Sequence, residues 1–261
     1  MPTIAIGGVE FHYRQAGDGP VGVLYVHGFC QSSLWWEPAL HQLPAGYRAF
    51  ALDLKGFGGS SKPAGTYGIA VAADEVRAFL DALGLPQVVL VGNSMGGVVA
   101  QCFAGLYGSR LRRLVLVGTG PYLRDPAGAF ERARRFRTME WTRETLADVI
   151  RPFFLTPPAD FPQLVDEALR AGREALVHLT LSMGSLNVLP GLRALPVPTL
   201  IVQGAQDTIR PPEEGQRIQA MIPGSQLHVL EGASHTPMLE QAEAFHALLW
   251  RFLAAEGASG H

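Results

Sequence analysis

No excess of positive charge runs through this 261-residue chain: 21 Lys and Arg stand against 23 Asp and Glu, a formal charge of −2. Nothing is therefore available to grip a polyphosphate backbone, and nucleic acid is excluded as an expected partner. Long apolar runs are missing too. The most continuous aliphatic segments, Val88 to Val91 and Leu114 to Val117, fall far short of the about 20 residues that a bilayer-crossing helix needs. Met1 to Glu10 lacks a basic stretch followed by an apolar one. We expect no membrane partner and a cytoplasmic location. Cysteine is scarce, with only Cys30 and Cys102, and a chain that is 48% hydrophobic has core enough to need no staple; two reduced, buried thiols are expected. His-Glu-x-x-His and Cys-x-x-Cys are both absent, so neither a metal site nor a cofactor is expected.

What the chain does contain is punctuated apolar segments. Val23 to Val26, Ala49 to Leu52, Val88 to Val91, Leu114 to Val117, Thr199 to Val202 and Gln226 to Leu230 read as strands buried on both faces. Thr3 to Ile6 and Glu10 to Arg14 flank Gly7-Gly8 with hairpin spacing and predict an antiparallel edge. Helical stretches lie between, over Ile69 to Leu83, Met95 to Tyr107, Pro211 to Met221 and Glu240 to Ala255. The alternation predicts an α/β fold with a mostly parallel sheet covered on both sides. From Pro121 to Pro190 the strand signal stops, and amphipathic helices broken by prolines and Gly172 replace it. We expect residues 1–120 and 191–261 to form the core and 121–190 a helical insertion that covers the carboxyl ends of the strands. Its bulky apolar residues Phe130, Phe136, Met139, Trp141, Phe153, Phe154 and Leu155 should pack it onto the sheet and line a pocket. Seven of its arginines (124, 132, 134, 135, 137, 143 and 151) exceed the neighbouring acids Asp125, Glu131, Glu140, Glu144 and Asp148 by only two and read as a solvated face.

Directly after Val88 to Val91 comes Gly92-Asn93-Ser94-Met95-Gly96-Gly97, which opens a helix. A nucleophile on so tight a strand-to-helix turn sits in strained backbone, and side chains two positions away would collide with it, so glycine on both sides fits Ser94 as that nucleophile. The competing reading is a turn that merely links strand to helix. A serine hydroxyl needs a base, and the base needs an acid to hold its tautomer. In a parallel sheet those partners must follow other strands. His235 follows Leu227 to Leu230 by a short loop, and Asp207 follows Thr199 to Val202. His228 and His246 lie inside regular elements, where a satisfied structural role is expected; His12, His41, His178 and His261 follow no parallel strand. Asp53 and Asp125 compete as the acid, but Asp53 opens a glycine-rich loop that suits a turn-forming aspartate. His27-Gly28-Phe29 follows Val23 to Val26, so the Phe29 and Met95 backbone N–H groups can together face an oxyanion, with His27 bracing the loop.

Taken with Gly56-Phe57-Gly58-Gly59-Ser60 after Asp53, these motifs resemble the α/β-hydrolase superfamily over nearly the whole chain, in the nucleophile, acid, base order of that family. The resemblance implies an eight-stranded twisted sheet with a helical lid, and a serine hydrolase of the esterase, lactonase or cofactor-free haloperoxidase branch acting on a small-molecule ester or lactone. Ser94 rather than an aspartate at the elbow departs from haloalkane dehalogenases and epoxide hydrolases. Thr236 in place of a tryptophan after the histidine departs from the carbon-carbon bond hydrolases, which remain an alternative. So do a perhydrolase and a ligand-binding module that keeps the fold without turnover. Oligomeric state is not legible.

Overall fold

A computed structural model describes residues 2–121, 125–185, 192–193, 195 and 197–255. Its centre is a run of predominantly apolar strands: β3 (Val21–Val26), β4 (Tyr47–Leu52), β5 (Val88–Asn93), β6 (Leu111–Val117) and β7 (Thr199–Gly204). Their Val, Ile and Leu side chains are buried on both faces, each worth on the order of 1.5–3 kcal/mol relative to exposure. With β1 (Thr3–Ile6), β2 (Val9–Gly17) and β8 (Gln226–Leu230) they make one eight-stranded sheet in the order β1-β2-β4-β3-β5-β6-β7-β8.

Pairing from β4 through β8 is parallel throughout, while β2 lies antiparallel to both β1 and β4. The predicted edge hairpin is therefore present, with β2 longer than expected. The loops that follow β3, β5, β7 and β8 consequently leave the sheet at one end. Gln226 to Leu230 is not buried on both faces: β8 is the last strand in the sheet order, and its residues are exposed or half-buried.

Around the sheet lie α1 (Glu37–His41), α2 (Ile69–Ala82), α3 (Met95–Tyr107), α4 (Pro126–Thr138), α5 (Arg143–Ile150), α6 (Phe161–Leu169), α7 (Arg173–Ser185), α8 (Pro212–Met221), α9 (Pro237–Glu240) and α10 (Ala242–Ala254). The short α1, preceded by a 3₁₀ turn at Ser33–Trp36, carries no clear periodicity and was not predicted. Its partner Trp36 stacks on Tyr25 at 4.8 Å. The helix predicted from Glu240 to Ala255 breaks at Gln241, whose φ of −129° and ψ of 51° leave the helical region. There the Gln241 amide donates to Gly232 O at 3.0 Å and the chain bends back toward the loop after β8.

Helices α4 to α7 follow one another between β6 and β7. A small-residue seam joins α4 to α7: Ala129 and Ala133 are buried, and a Cβ at Gly184 would stand 2.4 Å from that of Ala129. That seam turns Phe130 outward, to 60% exposure, and Leu155 is 49% exposed, so neither packs onto the sheet as predicted. Phe153 and Phe154 do bury, against Trp35. Arg132, Arg134, Arg135 and Arg137 lie on the exposed side of α4, with Arg134 paired to Glu131 at 3.0 Å. Arg124 falls outside the described residues, as do His261 and the 186–190 end of the predicted insertion.

Asp53 anchors the loop after β4. Its carboxylate accepts from Ser33 N at 2.6 Å, Gly59 N at 2.8 Å and His12 Nδ1 at 2.7 Å. Burial alone would raise its pKa, but the His12 contact and the Ser33 and Gly59 backbone N–H groups together hold it below the ordinary carboxylate value. This is the loop-organising role expected of Asp53. A carboxylate held low contributes stability above the unfolded value of about 3.9 and loses it as pH falls through the lower folded value. Asp53→Ala should accordingly cost about 3–5 kcal/mol in urea unfolding at pH 7. The gap between variant and parent should narrow below about pH 4. An unchanged midpoint at neutral pH would refute this.

Candidate active site

At the junction of β5 and α3 the backbone turns too sharply for ordinary residues. Ser94 sits at φ 53°, ψ −116°, a left-handed conformation that only two non-glycine residues adopt among those described. The turn brings α3 down onto the end of β3: a Cβ at Gly96 would lie 2.3 Å from Val26 O and 2.5 Å from His27 O. One at Gly92 would lie 2.3 Å from Gly96 O. Both glycines are thus demanded by contact with backbone, which has no flexible end to move aside. Ser94 N donates to Val117 O at 2.9 Å, and Thr119 Oγ1 donates to Ser94 O at 2.9 Å, so the end of β6 fixes the turn from its other side.

Two loops meet this serine. Asp207, after β7, is buried; its Oδ1 accepts from Ile209 N and Arg210 N, both at 2.8 Å, which leaves Oδ2 aimed at His235 Nδ1, 2.8 Å away. On the other edge of the imidazole, Nε2 lies 2.8 Å from Ser94 Oγ. An acceptor-only carboxylate on Nδ1 assigns the proton there, so Nε2 is left to accept from the serine hydroxyl. The structure brings Ser94, His235 and Asp207 into one hydrogen-bonded chain. Asp53 lies apart from it, bonded to His12, and so does Asp125, whose side chain caps α4 through Gly128 N at 2.9 Å.

The loop after β3 lies against the serine: a Cβ at Gly28 would stand 3.0 Å from Ser94 Cβ. His27 braces it. Its Nδ1 donates to Gly28 O at 2.8 Å while Nε2 accepts from Leu54 N at 3.1 Å, and burial lowers its pKa, consistent with a neutral ring. Holding Gly28 O from one side turns the N–H of the same peptide, that of Phe29, the opposite way. Among the described residues nothing accepts from the Phe29 or Met95 N–H, and Phe29 and Ser94 are only half-buried. The arrangement leaves two backbone donors beside a reachable hydroxyl. Phe29 also stacks on Phe136 of α4 at 6.0 Å.

Several contributors were not legible beforehand. Asn93 Nδ2 donates to Val117 O at 3.1 Å and His235 O at 3.2 Å, tying the serine turn to the histidine backbone. His235 N donates to Phe153 O at 3.1 Å, and the Phe153 ring lies 5.2 Å from the imidazole. Asn93 stood inside the recognised motif, whereas Phe153 carried no signal beyond being aromatic. His246 was expected to be satisfied; it is buried, neither ring nitrogen has a partner among the described residues, and its pKa is lowered by burial to about 4. Cys30 and Cys102 are free and buried, with burial pushing the thiols up to about 12 and about 11. Among the described residues no group of three or more His, Cys, Asp or Glu could hold a metal, and no helix is long and apolar enough to cross a membrane. A surface groove of about 230 Å³ between α5 and α6 lies away from Ser94.

Residues 23–248 match the model of the alpha/beta hydrolase family. The chain is 31% identical to 2-hydroxy-6-oxo-2,4-heptadienoate hydrolase of Pseudomonas putida, over 97% of its own length and 96% of the relative's. It is 29% identical to 3-oxoadipate enol-lactonase 2 of Acinetobacter baylyi, over 94% and 93% of the two chains. The crystal structure of the enol-lactonase from Burkholderia xenovorans superimposes with a TM-score of 0.89 at 25% identity, covering 97% of this chain and all of that one.

The close approach at Gly96 yields a direct test. Gly96→Ala should lower stability by about 1–3 kcal/mol through overpacking against Val26 O and His27 O. Urea denaturation would measure this, and a variant as stable as the parent would show that the turn can relax around a methyl group.

Proposed function

The chain belongs to the alpha/beta hydrolase family and is an enzyme that hydrolyses esters or related bonds; we propose that its substrate is a small carboxylic ester or lactone, cleaved through an acyl-enzyme. The observation that carries this reading is the unbroken hydrogen-bonded chain from Ser94 Oγ through His235 to Asp207, with 2.8 Å at each link. Ser94 Oγ attacks the carbonyl carbon while His235 Nε2 takes its proton, and the carbonyl electron pair moves onto oxygen. The Phe29 and Met95 N–H groups stabilise that oxyanion. As the tetrahedral adduct collapses, His235 returns the proton to the departing alkoxide; in a lactone this remains attached as a hydroxyl on the acyl chain. Water, deprotonated by His235, then attacks the ester of Ser94, and as that adduct collapses His235 returns the proton to the departing Ser94 Oγ and the acid is released. Asp207 keeps the imidazole in the working tautomer throughout.

In this reading the helices from α4 to α7 act as a lid over a confined apolar acyl site, a reading supported by Phe136 stacked on Phe29 and Phe153 set against His235. The similarity to 2-hydroxy-6-oxo-2,4-heptadienoate hydrolase favours a second reading, in which the same three residues hydrolyse a hydroxy-oxo-dienoate. Assay of p-nitrophenyl esters, lactones and such a dienoate side by side separates the two, and turnover of the dienoate alone would replace the first reading by the second.

Ser94→Ala and His235→Ala should each reduce ester turnover by roughly three to six orders of magnitude, and Asp207→Asn by less than either. Fluorophosphonate should label wild type but not Ser94→Ala; more than a tenth of wild-type turnover in Ser94→Ala would end the mechanism. Acetyl and butyryl esters should be hydrolysed faster than palmitoyl esters, and the reverse order would refute the confined site.

A further inference from the structure

His235 stands in a loop that one other side chain holds at several points. Glu240, the last residue of α9, extends its carboxylate back over the loop. Oε2 accepts from Ser234 N at 2.9 Å and, more weakly, from Thr236 N at 3.4 Å. The two residues flanking His235 are thereby bound to a single oxygen. The Thr236 hydroxyl lies between that oxygen, at 3.3 Å, and Phe153 O, at 3.1 Å. The second oxygen, Oε1, points away from the loop and accepts from Leu155 N at 2.7 Å, a residue 85 positions earlier in the segment between α5 and α6.

An acidic side chain in the first turn of a helix ordinarily caps that helix, and the Thr236 N contact is of that kind. The other two strong contacts are not. Ser234 N lies before the cap, and Leu155 N belongs to a different part of the fold. The same two segments also meet directly, through His235 N on Phe153 O at 3.1 Å. The carboxylate therefore completes a bridge that fixes the loop around His235 against residues 153–155.

We propose that Glu240 is a positioning residue for the reaction: by binding the N–H groups of Ser234 and Thr236 on one oxygen and that of Leu155 on the other, it sets the placement of the His235 ring between Asp207 and Ser94 and couples it to the segment joining α5 to α6. This rests on the reading of His235 as the base. A carboxylate is required because every neighbour is a donor. Glutamine would set its NH₂ against either Leu155 N–H or Ser234 N–H, and the bridge would open on that side. Aspartate keeps both acceptors but is one methylene shorter, so it cannot span both segments.

The test compares wild type, Ser94→Ala, Glu240→Gln and Glu240→Asp by p-nitrophenyl butyrate hydrolysis and by proton NMR of the low-field His235 Nδ1–H resonance, assigned by its loss in His235→Ala. Circular dichroism verifies folding. In Glu240→Gln we expect kcat to fall roughly 10- to 100-fold, the scale of a misplaced catalytic group, with KM changed less than about threefold. The Nδ1–H resonance should shift or broaden. Glu240→Asp should do the same to a smaller degree, and it decides by these readouts if the glutamine variant does not fold. Ser94→Ala should lose turnover yet keep the resonance. Wild-type kcat together with an unmoved resonance in a folded Glu240 variant would overturn the proposal. Turnover persisting in Ser94→Ala would instead refute the acyl-enzyme reading, and the resonance would still report whether Glu240 positions the ring.

Discussion

Everything at this site depends on how closely α3 can approach the end of β3. Gly96 lies where any Cβ would overlap Val26 O, and Gly92 lies where a Cβ would overlap Gly96 O. Without that approach the chain could not reverse between β5 and α3 within one residue, and Ser94 would have no cause to occupy φ 53°. The strained residue is stable because its surroundings over-determine it. The parallel register of Val26 with Gly92 sets β3 beside β5, Ser94 N is taken by Val117 O, and Ser94 O is taken by Thr119 Oγ1. Three adjacent strand ends thus hold one turn, and the hydroxyl is lifted clear of the sheet toward the loops that follow the other strands.

The sequence carried the fold in proportion to burial. β3 and β5 to β7 stood out as short, mainly aliphatic runs, and α3 was bounded to the residue by Met95 and Tyr107. Ser94, Asp207 and His235 were legible by a different route, since parallel strands oblige residues just past their ends to converge. Elements whose form depends on tertiary contact were harder to read. The bend at Gln241 follows from hydrogen bonds that Glu240 and Gln241 make to the loop after β8, and no propensity encodes it. Phe130 looked like core because it is large and apolar, but the Ala129 and Ala133 seam with α7 takes the buried side of α4. Residues such as Phe153 and Glu240 act on the site through backbone groups, and a backbone contact over some 80 residues leaves no mark in composition or spacing.

The three residues in the hydrogen-bonded chain are unequally supported, and the difference explains why so much of the surrounding structure gathers at the histidine. Ser94 and Asp207 follow β5 and β7, strands buried along their whole length. Position passes to them directly from the sheet. His235 follows β8, the edge strand, whose residues are exposed or half-buried and which pairs on one side only. A loop leaving such a strand inherits little rigidity, yet it carries the ring that must meet two partners at 2.8 Å each. The missing support comes from outside the strand: Asn93 from the end of β5 on His235 O, Phe153 from the segment after α5 on His235 N, and the Glu240 carboxylate on both neighbouring residues. Two of those supports involve the segment between β6 and β7, which also reaches the loop after β3 through the stack of Phe136 on Phe29. The segment between β6 and β7 therefore supplies part of the frame that an edge strand cannot give its histidine, through Phe153 O on His235 N and Leu155 N on the Glu240 carboxylate.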